Sequence, residues 1–384
     1  MSFSSLWMLI FWLTFLLCLS SYLFYPLFIA LFGRVFATAV KRSEWEPKVS
    51  ILIAAYNEER DIVRKLKNCL ELDYPAEKLE ILVGSDGSSD NTVLLAKETA
   101  SNRIKVFDYT ENRGKTAVQN DLVVASEGEI IIFTDAASFL NRDAIRSMVR
   151  NFADSRIGAV GGRMRFVNTD ENINTHSQGL YWRYEFKIRE LESRLGSLIG
   201  VDGPLYAVRR SCYVPLAPQS ISDLLTPLLV LEQGKKVVLE PDAVVDEDPT
   251  RQSGQEFRTR RRITLRGLTG LATYRRLLNP VKNPFLAAQI FFHKVLRWFV
   301  GPLVILHISA CAALSGKAFF ATALTLYLVF FLLAMAGWCL EASGGKNRLL
   351  TVPYYFSLVN LAATMGIIDF IRKKQATTWK PVRN

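Results

Sequence analysis

An α/β domain with a mostly parallel sheet, flanked by transmembrane helices, is the fold class this sequence predicts. Three observations predict it. Half of the 384 residues are hydrophobic and 22% are charged, which excludes a disordered chain, yet the apolar residues are segregated into 5–33 and 285–371. Between them, short β-rich runs alternate with helical ones, the pattern of βαβ units. Three of those β-rich runs end in polar or acidic residues, and ligands of an open parallel sheet collect at the carboxyl ends of its strands.

Residues 1–40 read as an N-terminal anchor. Leu6 to Phe32 is long enough to span a bilayer, exceeds a signal-peptide core and lacks a clear cleavage site. Arg34, Lys41, Arg42 and Lys48 follow, and the positive-inside rule then puts the next domain in the cytoplasm. That domain, 41–255, is expected to hold strands over Val49–Ala55, Leu79–Gly84, Ile104–Asp108 and Glu129–Thr134, with helices near 59–71, 90–101, 115–126 and 141–153. Later strands are predicted over Gly158–Phe166 and Val237–Leu239, and helices around 180–195 and 222–233. In 256–284, Arg258, Arg262 and Arg266 share one helical face, predicting an amphipathic helix on an anionic membrane surface and no nucleic-acid groove.

Residues 285–371 carry three apolar stretches, 295–314, 318–340 and 349–371, each near spanning length. The tail, 372–384, holds Arg372, Lys373, Lys374, Lys380 and Arg383 and no acid, which disfavours an outside location. One stretch is therefore expected not to cross. The expectation falls on 349–371, because Asn360 and Asp369 interrupt it and Pro353, Tyr354 and Tyr355 suit an interfacial or re-entrant path, with Trp379 anchoring the tail.

Composition also limits the chemistry. Lys plus Arg outnumber Asp plus Glu by 47 to 36. Cys18, Cys311 and Cys339 lie in apolar runs and Cys69 and Cys212 form no C-x-x-C pair, so neither a disulfide framework nor a zinc site is indicated. With three histidines in the chain, a metal must rest on carboxylates. No G-x-G-x-x-G follows the first strand, and Gly114-Lys115-Thr116 fails as a P-loop because Tyr109 stands where the leading glycine belongs. Dinucleotide oxidoreductases and P-loop ATPases fall away. Asp135, on a buried strand end, suits a Mg²⁺ or Mn²⁺ that bridges substrate phosphates; the alternative is a turn residue.

Four runs in order, Val49 to Glu59, Gly84 to Thr92, Asn112 to Lys115 and Phe133 to Ala137, resemble the family-2 inverting glycosyltransferases with a GT-A fold. The membrane flanks make the chain similar to the branch of cellulose, chitin and hyaluronan synthases. The resemblance covers about 49–270. It implies that Ala55, Tyr56, Asn57, Glu58 and Asp86 hold the nucleotide sugar, with Lys115 beside the base. It makes Asp135 the first acid of a D-x-D metal motif whose second position is Ala137, and Asp223, in Ile221-Ser222-Asp223, the catalytic base. The alternative for Asp223 is a plain helix N-cap. Asp202, in Asp202-Gly203-Pro204, resembles an acceptor-side loop, with an ordinary turn as the alternative. The family's Gln-x-x-Arg-Trp corresponds to Thr259-Arg260-Arg261-Arg262-Ile263: Arg262 is left to contact diphosphate or a membrane surface, and the sugar-stacking tryptophan is lost. Tyr181 to Tyr184 is expected to serve core and interface packing, with a sugar platform as the alternative.

The function that the resemblance implies is transfer of a sugar from a nucleotide donor, UDP-linked in this branch, to a glycolipid or saccharide acceptor at the bilayer, in a bacterial cytoplasmic membrane. Two rivals accompany it: a processive synthase that exports polymer, with or without export partners, and a non-catalytic scaffold of a polysaccharide machine.

Overall fold

The computed structural model describes residues 2–37, 39–167, 173–250, 252–343, 345 and 347–374. Trp379, Lys380 and Arg383 lie outside the described residues. The chain begins with α1 (Phe3–Leu19) and α2 (Tyr25–Val35), joined by one π-helical turn over Ser20–Phe24. Pro26 accounts for that turn, since its ring crowds the carbonyl four residues back and widens the helix there. Phe3–Val35 is apolar enough to cross a membrane, and Leu9, Trp12, Leu13 and Leu31 are exposed along it.

An eight-stranded sheet organises the middle of the chain: β1 (Val49–Ala55), β2 (Leu79–Asp86), β3 (Ile104–Tyr109), β4 (Ile130–Asp135), β5 (Phe139–Leu140), β6 (Ile157–Phe166), β7 (Leu205–Arg209) and β8 (Lys236–Glu247). The spatial order is β3-β2-β1-β4-β7-β6-β8-β5. The first four strands are parallel, with Ala54 opposite both Gly84 and Asp135, so their polar ends meet at one rim. β1 and β2 are buried along their whole length, which is why they read as continuous apolar runs. Alternation splits them between two cores: Ile51, Ile53 and Ile81 face α3 (Ile62–Leu70), while Leu52 and Leu82 pack with Leu122 of the later helix α5, after α4 (Thr92–Glu98). α5 spans Lys115–Ala125 and α6 Ala144–Val149.

β7 was not expected from the sequence. It runs antiparallel between β4 and β6, five residues hidden behind the Asp202-Gly203-Pro204 turn. β8 is longer than the predicted Val237–Leu239: it continues through Pro241, where the pairing with β6 slips register, the kind of irregularity at which a strand tolerates proline.

Three helices form the membrane-side wall of the domain: α7 (Ile173–Arg194), α8 (Ser222–Glu232) and α9 (Ser253–Thr273). The expected lipid-facing basic stripe of α9 is corrected by its contacts. Arg258 is exposed, but Arg266 is buried against the domain and Arg262 faces a cavity. Arg260 Nε donates to Glu256 at 2.7 Å and its Nη2 to the Tyr355 hydroxyl at 2.9 Å, while Arg261 Nη2 donates to Asp369 at 2.9 Å. The helix is a coupling between the domain and the last apolar helix.

Beyond it come α10 (Pro284–Gln289), a π turn over Ile290–Val295, α11 (Leu296–Trp298), α12 (Val300–Ala313), α13 (Ala318–Ala342) and α14 (Arg348–Ile371). The break lies elsewhere than expected. Pro284–Trp298 and Val300–Ala313 meet at 65°, because Pro302 lacks an N–H and conflicts with the Trp298 carbonyl. α14 is one unbroken helix, so a re-entrant path over 349–371 is not what forms. Its polar residues are accommodated on the domain side: Asp369 by Arg261, and Asn360 by donating to its own helix at the Phe356 carbonyl, 2.8 Å away. Among the described residues three helices are long and apolar enough to cross a membrane, or four if the bent pair is one span.

Candidate active site

The rim is assembled from the loops after β1 and β2 and the turn before α5. Asn57 adopts a left-handed φ of 55°, its amide donates to Ser88 Oγ (3.0 Å) and its Oδ1 accepts from the Ser89 amide (2.7 Å). The Glu58 amide donates to Thr92 Oγ1 at 2.7 Å. Asp86 is fully buried and accepts from the amides of Arg113 (2.7 Å) and Gly114 (2.8 Å), one to each oxygen. Each oxygen keeps a second lone pair for a ligand, but its first use is to fix this turn. Gly114, at φ 95°, reverses the backbone in a conformation that favours glycine and starts α5 with Lys115. The Lys115 ammonium ion-pairs with Asp135 at the end of β4. Beneath it, the fully buried Lys65 donates to Thr134 Oγ1 (2.8 Å) and to the Ser138 carbonyl, holding the turn that presents Asp135.

From this rim a cavity of about 420 Å³ runs past Asp202, Gly203 and Asp223 to Tyr22 of the first apolar segment and to Val359, Asn360 and Ala363 of α14. Asp223 lies in the first turn of α8. The Val201 amide donates to its carbonyl at 3.0 Å, and Gly203 lies so close that an added Cβ would stand 3.2 Å from Oδ2. Oδ1 is buried with no hydrogen-bond partner among the described residues. Burial pushes the pKa of this carboxyl up, against the opposing pull of Lys115, Arg189, Arg266 and Lys294. The result is a carboxyl with raised proton affinity on a residue that lines the cavity.

Asp202 is committed differently: it ion-pairs with Arg189 of α7 and accepts from the Met164 amide at 3.1 Å. Its carboxylate therefore clamps α7 to β6 at the cavity wall. Arg262 has no hydrogen-bonding partner for its side chain among the described residues, and burial lowers its pKa despite the charges of Asp135 and Asp223. Arg266, one turn on, donates to Thr116 Oγ1 (3.1 Å) and to the carbonyls of Pro218 (3.3 Å) and Ser220. Burial, with Arg262 next, brings its pKa down to about 10.

Of the residues singled out from the sequence, Lys115, Asp135, Asp202, Asp223 and Arg262 meet on the cavity, with Ile263 beside them. Ala55, Glu58 and Asp86 form the buried underside of the rim, and Tyr56 and Asn57 are partly exposed on it. The cavity also holds residues the sequence did not mark. Tyr181 and Trp182 line it, with the Arg260 guanidinium 4.6 Å and 5.9 Å from their rings; Tyr181 also packs against Tyr355 of α14, as expected of an interface residue, and Tyr184 packs inward, donating to the Tyr22 carbonyl at 2.7 Å. Trp298 enters beside Gly267. Glu247, the last residue of β8, lines it too, its pKa pushed up to about 8 by burial first and then by the charge of Asp135. A run of alternation through Val245 and Glu247 was the available signal, obscured because Pro241 reads as a strand stop.

Among the described residues no three His, Cys, Asp or Glu side chains stand close enough to hold an ion unaided. The carboxylate oxygen of Asp135 is nonetheless the hard donor that Mg²⁺ or Mn²⁺ takes, and such ions complete their shells with water and phosphate oxygens. The residues fit a cation shared with a diphosphate.

Comparison with known proteins bears on the domain and its fold. The Glycosyl transferase family 2 model matches residues 50–213. Poly-beta-1,6-N-acetyl-D-glucosamine synthase of Staphylococcus aureus is 28% identical over 209 residues, half of this chain and half of that protein. Beta-monoglucosyldiacylglycerol synthase of Trichormus variabilis is 31% identical over 168 residues, 43% of this chain and 36% of that one. The chain thus spans about half or less of the curated relatives it matches. In solved structures it superposes on mannosyltransferase PcManGT from Pyrobaculum calidifontis, in complex with GDP-Man and Mn²⁺, with a TM-score of 0.73 at 21% identity, covering 95% of this chain and all of that one. The sheet, its polar rim and the four matching runs make residues 50–213 a glycosyl transferase family 2 domain of GT-A fold.

Proposed function

We propose that this chain is an inverting glycosyltransferase that takes a sugar from a nucleotide donor, UDP-linked by preference, and adds it to a glycolipid or saccharide acceptor at the membrane. One observation carries the reading: a single cavity joins the rim at Lys115 and Asp135, the unpartnered Oδ1 of Asp223 and the apolar helices at Tyr22 and Asn360. The donor enters over the Tyr56-Asn57-Glu58 loop and Asp86, whose hydrogen bonds preset the nucleoside pocket. Its diphosphate lies against Lys115 and Arg262. An acceptor hydroxyl arriving from the membrane side gives its proton to Asp223 as its oxygen attacks C1 from the face opposite the diphosphate, which inverts that carbon. A Mg²⁺ or Mn²⁺ at Asp135 would neutralise charge on the departing diphosphate. Asp202 keeps Arg189 in place beside the base.

In this reading the domain faces the cytoplasm, the side on which nucleotide sugars are made, and the apolar helices lie in a bacterial cytoplasmic membrane. A second reading, processive synthesis, is favoured by Trp182 and Trp298, which bring aromatic faces to the cavity that Ile263 does not. Size analysis of labelled product separates the two. One or a few added sugars support single transfer, and long polymer made by this chain alone supports the processive reading.

A further inference from the structure

The second acid of the metal motif is missing at Ala137, and the fold brings another carboxylate to the same place. After Asp135 the chain turns and forms β5, whose Phe139 pairs with Asp246 of β8. The turn at 136–138 is thereby pinned beside the end of β8, one residue from Glu247. Side chains alternate along a strand. Asp246 points outward, where Arg165 takes it with bonds of 2.7 Å and 2.8 Å, so its neighbour Glu247 points to the opposite face and lines the cavity with Asp135 and Lys115. The Glu247 carboxylate makes no hydrogen bond or ion pair with any described residue. Asp223, whose buried Oδ1 has no hydrogen-bond partner among the described residues, lines the same cavity.

We propose that Glu247 is the second protein ligand of the divalent cation, taking from β8 the place that Ala137 leaves empty after β4. Two carboxylates from neighbouring loops, completed by diphosphate oxygens and water, form the oxygen set that Mg²⁺ and Mn²⁺ take in nucleotide sites. This inference rests on the donor and cation reading above, and the experiment separates the two.

Full-length protein in nanodiscs with UDP or GDP is titrated with MnCl₂, and free Mn²⁺ is followed by its electron paramagnetic resonance signal. Glu247→Gln, which keeps shape and loses charge, is expected to weaken Mn²⁺ binding by at least about tenfold, the lower end of what supporting residues of metal sites cost. Adding Ala137→Asp to Glu247→Gln is expected to restore most of the affinity, an outcome that general destabilisation would not produce. Thermal melting of each variant confirms folding; if Glu247→Gln does not fold, Glu247→Asp, which keeps the charge and withdraws the carboxylate by one methylene, takes its place and is expected to weaken Mn²⁺ binding, with affinity within about twofold of wild type overturning the assignment. Affinity of Glu247→Gln within about twofold of wild type, with Asp135→Asn weakened, overturns the assignment of Glu247 and leaves the cation reading standing. Unchanged affinity in Asp135→Asn as well removes both.

Discussion

The two ends of the cavity solve their hydrogen bonding in opposite ways. At the rim, polar groups are consumed in fixing the loops: Asp86 holds two amides, Asn57 links the β1 and β2 loops, and Lys65 supports the Thr134–Ser138 turn. Toward the membrane, Asp223 Oδ1 and two nitrogens of Arg297 are buried without partners among the described residues, and the Arg262 side chain has none. An unpaired buried polar atom costs about 1–3 kcal/mol, so a protein keeps several together where a ligand supplies what is missing. In the function proposed above, the rim is the preformed donor pocket, Arg262 reaches the donor's diphosphate from the other end, and Asp223 meets the acceptor there.

The largest effect should come from Asp223→Asn. The amide cannot take a proton at neutral pH, and turnover is expected to fall by about 10²–10⁴-fold, with nucleotide-sugar affinity little changed by calorimetry. The same change should raise the thermal midpoint. The buried carboxyl has a raised pKa, so the folded state favours the protonated form and loses stability as pH rises through that value, a loss the neutral amide escapes. The pH profile of wild type should carry the complementary sign: kcat/KM falls as pH drops through the Asp223 pKa, with its midpoint above the ordinary Asp value of about 3.9. A midpoint at or below that value would break the link between burial and base.

At the other end, Asp86→Asn should behave as a structural lesion. It sets an amide group against two backbone N–H donors, costing about 1–3 kcal/mol in denaturant unfolding and raising the donor KM more than it lowers kcat. The smallest effect is expected for Trp182→Ala, a rise in acceptor KM of up to about tenfold, within the ~0.5–1.5 kcal/mol of an aromatic contact, with donor binding unchanged. If Trp182→Ala weakened the nucleotide instead, the division between the two ends would be drawn wrongly.

The same contrast decides what the sequence revealed. Each rim loop is contiguous with its strand, so apolar runs ending in polar residues were enough to put Ala55 to Glu58, Asp86 and Asp135 on strand ends and to bound β1 to β4 nearly to the residue. Lys115 and Asp223 followed from resemblance, and the cavity unites them. The acceptor end is built from β8, α7, α9 and α14, elements far apart along the chain, and no local pattern announces that Trp182, Glu247 and Asn360 meet. Long-range pairing also changed the meaning of what was noticed. Arg262 and Arg266 of α9 read as part of a membrane-binding stripe because what they meet, the cavity for Arg262 and Thr116 with the Pro218 and Ser220 carbonyls for Arg266, lies far from α9 along the chain. Asp369 and Asn360 read as interruptions of an apolar stretch for the same reason.

The central claim is tested most directly by nucleoside-diphosphate release from purified full-length protein in nanodiscs, supplied with a panel of UDP- and GDP-sugars and a bacterial lipid extract. Wild type should release diphosphate with at least one donor only when lipid or saccharide acceptor is present, and Asp223→Asn, folded and still binding that donor, should not. Release from Asp223→Asn at the wild-type rate would contradict the assigned base, and a wild type that binds no donor in the panel would contradict the enzyme and favour a scaffold.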